Sequence, residues 1–76
     1  MLVVPRDHIE SVATVGPEHG DLLAEMIATA QRIAAQEGIA ESGYRLVFNV
    51  GDDARNSVPH LHLHVLGGRR MKWPPG

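Results

Sequence analysis

No cysteine occurs among the 76 residues, so no disulfide braces this chain. At this length the absence matters. A folded chain of this size buries only about 60% of its extended surface, and such chains commonly lean on a disulfide, a metal or a partner subunit. The first is excluded, and the lack of cysteine fits a reducing compartment without requiring one. No apolar run approaches the roughly 20 residues that cross a bilayer as a helix. The opening Met1-Leu2-Val3-Val4-Pro5-Arg6-Asp7 has no basic segment ahead of its apolar stretch, so it does not read as a signal peptide. An excess of one charge is missing too: the formal net charge is −2, with both signs mixed along most of the chain. That leaves no electrostatic footprint for generic nucleic-acid or membrane-surface binding. Internal repeats and long low-complexity segments are also lacking. The expectation is one domain over residues 1–76, cytoplasmic, with neither a membrane nor a specific nucleic acid as partner.

What is present divides into four parts. Leu2-Val3-Val4, apolar and β-branched and closed by Pro5, predicts a strand that starts the chain without a neighbour before it. Ile9, Val12, Ala13 and Val15 form a short amphipathic connection in which Ser11 caps one helical turn. Gly16-Pro17 opens a helix, because proline at the first helical position forfeits no hydrogen bond that the helix would have made. From Glu18 to Glu37 the apolar residues fall at Leu22, Leu23, Met26, Ile27, Ala30, Ile33 and Ala34, a helical spacing that gives one apolar stripe. Gly38 stops it, since glycine takes the left-handed conformation cheaply.

Tyr44 to Val50 is rich in strand formers, with Tyr44, Leu46, Phe48 and Val50 on one side of the pleat. Gly51 to Asn56 has turn chemistry, with Asp52 and Asp53 making the turn. His60 to Leu66 predicts a second strand that pairs with the first as a hairpin. Gly67-Gly68 breaks it, and Arg69 to Gly76 is an irregular tail in which Arg69, Arg70 and Lys72 form a small basic cluster. The fold class expected is α+β, an antiparallel sheet with one main helix packed on a face.

His60-Leu61-His62-Leu63-His64-Val65-Leu66 alternates histidine with aliphatic residues. Side chains two apart on a strand point the same way, about 6.6 Å apart along the chain. Three imidazoles therefore share one face while Leu61, Leu63 and Val65 enter the core opposite. Histidine has no strand propensity that explains this pattern, and two chemistries remain. One is metal binding, since neutral imidazoles are common zinc ligands. Against it, three histidines in a row do not easily converge on one tetrahedral centre, and neither a cysteine nor a carboxylate in the strand completes the site. The other is phosphoryl or nucleotidyl transfer, in which one imidazole attacks phosphorus while its neighbours move protons and bind developing charge. One face of histidines suits this better. His8 and His19 read as solvated or loop histidines.

The same seven residues match the His-x-His-x-His-x-x signature, with x apolar, and the chain resembles the histidine triad (HIT) family. Gly43-Tyr44-Arg45-Leu46-Val47-Phe48-Asn49 and the tail Gly67-Gly68-Arg69-Arg70-Met71-Lys72-Trp73-Pro74-Pro75-Gly76 are similar to the Hint branch of that family, the purine nucleoside phosphoramidases. The resemblance runs through all 76 residues. It implies that His62 is the nucleophile and carries a covalent nucleotidyl group, and that His64 binds the phosphate and helps protonate the leaving group. It implies that His60 orients the site, partly through its carbonyl holding the ring of His62. Asn49 and Ser57 stand where the family contacts substrate and phosphate, although Asn and Ser also shape turns. Trp73 is placed by the resemblance near the active site of the partner subunit of a homodimer. The implied reaction is hydrolysis of a purine nucleoside 5′-phosphoramidate to the nucleotide and an amine, with no metal or other cofactor. The alternative is a non-catalytic nucleotide- or zinc-binding module using the same histidines. Members of the family carry a further N-terminal region with the first strands and much of the nucleoside pocket, so this chain matches their C-terminal portion.

Overall fold

Among the described residues three short segments pair in one antiparallel sheet, and a single α-helix covers one of its faces. The computed structural model describes residues 1–56 and 58–75. In chain order the elements are β1 (Leu2–Val3), α1 (Gly20–Gln36), β2 (Tyr44–Val47) and β3 (Leu63–Gly67), with 3-10 turns at Val12–Thr14, Pro17–His19 and Asp52–Ala54. The sheet order is β1-β3-β2, so the histidine strand lies in the centre. Leu2 sits opposite His64 and Val3 opposite Leu63; on the other side Leu46 sits opposite Val65 and Val47 opposite His64. Residues directly opposite one another share a face. One face therefore carries Val3, Leu63, Val65, Leu46 and Tyr44, and the other carries Leu2, His64, Val47, Arg45 and Leu66.

The helix packs on the first of these faces. Met26, Ala30 and Ala34 are buried on it, and Leu22, Leu23 and Ile33 pack from either side against a core of Val3, Ile9, Leu61, Leu63 and Val65. Alanine at the two innermost positions lets the helix backbone approach the strand closely. Ile27, expected on the stripe, is exposed. A three-stranded sheet covers only a narrow band of the helix, and Ile27 lies one residue past the buried line through Met26.

Several local expectations appear as physical contacts. Ser11 caps the turn Val12–Thr14: its Oγ accepts from the Ala13 N–H (3.2 Å), and its own N–H donates to Thr14 Oγ1 (3.4 Å). At the end of α1, Gly38 takes φ +74°. Its N–H donates to the Ala35 carbonyl (3.3 Å), and the Ile39 N–H donates to the Ala34 carbonyl (3.0 Å). These are the two bonds of a Schellman motif, which satisfy otherwise orphaned helix carbonyls.

Other boundaries move. Pro17 starts a 3-10 turn instead of the α-helix, which begins at Gly20. The His19 side chain folds back so that its Nδ1 accepts the Gly16 N–H (3.1 Å). Residues 48–50 lie beyond β2, and β3 spans Leu63–Gly67 instead of His60–Leu66. For β3 the cause is partner length on one side: β1 offers two residues before Pro5, which has no N–H to extend a ladder. Gly67 belongs to the strand and does not break it; the chain departs at Gly68, φ +87°. A Cβ on Gly67 would meet Ile39 Cδ1 at 2.5 Å, so the absence of a side chain is what lets Ile39 close the core there.

Candidate active site

The alternation expected of the histidine segment holds through residues 60–65, even though His60, Leu61 and His62 precede the paired strand. Leu61, Leu63 and Val65 are 2%, 0% and 4% exposed, whereas the three histidines are half-buried and line one cavity of about 460 Å³. The Leu61 N–H donates to the Ile9 carbonyl, which holds the segment in register before the ladder begins. Leu2, Val4 and Val58 supply apolar wall, while Asn49, Arg55 and Asn56 supply the polar side.

Each ring is fixed differently. His64 stands between Leu2 and Val47 in the centre of the sheet, with a strand partner on each side. His60 Nε2–H donates to the Pro5 carbonyl (3.1 Å), and His62 Nδ1–H donates to the His60 carbonyl (2.7 Å). A carbonyl can only accept, so these bonds assign the proton to Nε2 of His60 and to Nδ1 of His62. In neutral His62 the lone pair is then on Nε2, the ring nitrogen without a protein partner among the described residues. The rings of His62 and His64 meet edge to face, centroids 5.1 Å apart and planes at 81°.

Asn49 lines the cavity and also closes the turn that follows, its Nδ2 donating to the Ala54 carbonyl (3.0 Å). Ser57 lies outside the described residues. Trp73 does not reach the histidine cavity of its own chain. It is 83% exposed and borders a neighbouring groove with Phe48, Pro75 and Arg55. The Arg45 guanidinium donates to the Lys72 carbonyl (3.2 Å), tying the tail to β2.

Arg55 and Asn56, which carry turn chemistry in the sequence, both line the cavity. Asn56 Oδ1 is buried without a partner among the described residues. The signal available in sequence was only proximity, since they lie just ahead of His60. His8 is exposed, as expected of a loop histidine, but its ring lies 5.5 Å from that of His60. His19 belongs to the helix entry; because its Nδ1 accepts the Gly16 N–H, its 3.7 Å approach to the Glu18 carboxylate is not an ion pair. Among the described residues no three His, Cys, Asp or Glu side chains are grouped to hold a metal ion. Among the described residues no helix is long and apolar enough to cross a membrane.

One strand that buries its aliphatic side chains and presents three histidines to a cavity is an arrangement that can be compared directly with known proteins. The HIT domain model matches residues 1–71. The chain belongs to the HIT family. An uncharacterized HIT-like protein of Synechococcus elongatus is 46% identical over 76 residues, all of this chain and 66% of that protein. An adenylylsulfatase of Arabidopsis thaliana is 42% identical over 78 residues, covering 100% of this chain and 52% of its own length. The chain thus spans about two thirds and about half of these two relatives. Among solved structures, a HIT family hydrolase from Legionella pneumophila superposes with a TM-score of 0.95 at 47% identity, over 99% of this chain and 67% of that one. A HIT family hydrolase from Clostridium thermocellum gives 0.89 at 39% identity, over 93% and 62%. The α+β expectation, an antiparallel sheet under one main helix, is the HIT arrangement seen in these neighbours.

Proposed function

We propose that the histidine cavity hydrolyses a nucleoside 5′-phosphoryl compound through a nucleotidyl intermediate on His62, with a purine nucleoside 5′-phosphoramidate as leading substrate. The hydrogen bond from His62 Nδ1–H to the His60 carbonyl carries this reading. It holds the ring in the tautomer whose Nε2 lone pair is free to attack, and the carbonyl dipole stabilises the positive charge that attack creates on the ring. Nε2 bonds to the α-phosphorus as the bond from phosphorus to the leaving amine breaks. The amine departs with the electron pair and takes a proton from His64, whose ring lies against that of His62. Water then attacks phosphorus, the P–Nε2 electron pair returns to His62, and the proton released by water restores His64. His60 is a positioning residue in this scheme, itself anchored on Pro5. Asn49 and Ser57 contact the substrate, and Trp73 serves the cavity of a second copy in a homodimer. The exposure of Trp73 outside its own cavity is in keeping with that last assignment.

The Arabidopsis relative is an adenylylsulfatase, which makes sulfate an alternative leaving group; sulfate departs as the dianion without a proton, and the proton that water later releases passes to neutral His64 and from there to solvent. The deciding assay is steady-state hydrolysis of adenosine 5′-phosphoramidate by the chain beside His62→Ala. Turnover that vanishes in the variant is expected. Equal rates, or no turnover at saturating substrate, contradict the proposal, and stoichiometric zinc with a large rise in melting temperature favours a zinc-binding module instead.

A further inference from the structure

We infer that Arg55 is a specificity-determining residue that selects substrates whose leaving group carries negative charge. The inference rests on the phosphoryl-hydrolase reading of the cavity and adds the substrate class. Arg55 borders two spaces at once, the histidine cavity and the groove that runs to Trp73 and Pro75. It is the one fixed cation among the described residues that line the cavity, whose remaining wall is aliphatic, amide or imidazole. Asp53 borders the same groove, yet no carboxylate pairs with the Arg55 guanidinium among the described residues.

The backbone holds this side chain in an uncommon way. Arg55 has φ 63° and ψ 31°, the left-handed region that non-glycine residues rarely occupy. Hydrogen bonds fasten the loop around it: the Arg55 N–H to the Asp52 carbonyl (2.9 Å), the Asn56 N–H to the Gly51 carbonyl (3.0 Å), and Asn49 Nδ2 to the Ala54 carbonyl. Turn formation alone favours glycine or asparagine at such a position. An arginine there brings the turn no benefit, but it puts a cationic residue on the wall shared by the cavity and the groove.

The chemistry follows from charge. As His62 takes the phosphoryl group, the leaving group departs with an electron pair. A departing amine is neutralised by a proton from His64. Departing sulfate leaves as the dianion and needs no proton, so the charge building on it in the transition state must be met by a cation. A planar guanidinium matches a sulfate, phosphate or carboxylate with two parallel N–H···O bonds and offers nothing comparable to a neutral amine. Such an interaction strengthens as the bond to phosphorus breaks, which is when it accelerates the reaction.

The test compares kcat/KM for adenylyl sulfate and adenosine 5′-phosphoramidate in the parent chain, Arg55→Gln, Arg55→Lys and Arg55→Gly. Arg55→Gln should lower the sulfate-to-phosphoramidate ratio by about tenfold or more, the range of a lost charge-assisted hydrogen bond. Arg55→Lys should retain part of the preference. Arg55→Gly, which accepts the turn without strain, should behave as Arg55→Gln, separating charge from loop folding. An unchanged ratio overturns the inference. So does an equal fall on both substrates, which would assign Arg55 to the α-phosphate or to the loop. If the parent chain hydrolyses neither compound, the hydrolase reading fails by itself, and calorimetric binding of ADP against AMP then decides on Arg55. A preference for ADP that Arg55→Gln abolishes supports the role; equal affinities or no binding refute it.

Discussion

The two faces of the sheet are built from alternate residues of the same strands and differ in almost every physical respect. Toward the helix, Val3, Leu63, Val65, Met26 and Ala30 are all less than a tenth exposed and close-packed. On the opposite face Leu2, Val4 and Val58 are each more than half exposed around the three histidines. The first face therefore holds the chain together, and the second is free to do chemistry. Because side chains alternate along a strand, a substitution at an even position between 60 and 65 perturbs one task and a substitution at an odd position the other. The open face is also an apolar surface of the kind that proteins use for ligands or partners.

Substitutions on each face can break this division of labour. The largest effect expected is on chemistry: His62→Ala should reduce turnover on the order of 10⁶-fold, as loss of a nucleophile does elsewhere, while urea unfolding shifts by only about 1 kcal/mol for one lost hydrogen bond. Next is Leu63→Ala, one residue away and fully buried. It should lose about 2–5 kcal/mol by the same measurement, much of a total that is roughly 4–11 kcal/mol for a chain of this length. A Leu63→Ala chain with undiminished stability, or a His62→Ala chain that unfolds as readily as Leu63→Ala, would break the comparison. Gly67→Ala drives a methyl group into Ile39 and should cost about 1–3 kcal/mol. Gly38→Ala, at a left-handed helix end, should cost about 1 kcal/mol. The smallest effect is Arg55→Gly, which relieves a left-handed non-glycine residue on the open side and should stabilise the fold by less than about 1 kcal/mol.

Features set by neighbours in sequence were readable from the residues. The Ser11 cap, the glycine stop at Gly38 and the separation of histidine from aliphatic side chains between residues 60 and 65 depend on local geometry, and all three are present. Features set by distant partners were not. The start of β3 at Leu63 follows from the shortness of β1, and the exposure of Ile27 from the narrowness of the sheet beneath α1. The site divided in the same way. The histidines announced themselves by spacing, whereas Arg55 and Asn56 carry the composition of a turn, and only the return path of the chain makes that turn a wall of the cavity. Trp73 shows the same limit from the other side, for its sequence context says nothing of which cavity it borders.

In the proposed reaction His62 Nε2 is the atom that takes the phosphoryl group, and this can be read covalently. The chain is mixed with adenosine 5′-phosphoramidate, quenched at alkaline pH within one turnover, digested and mapped by mass spectrometry. The account predicts an adenylyl group on His62, absent from His62→Ala and unaffected by Leu66→Ala on the same face. An adduct on His60 or His64, or turnover without any adduct in the burst phase, would contradict it.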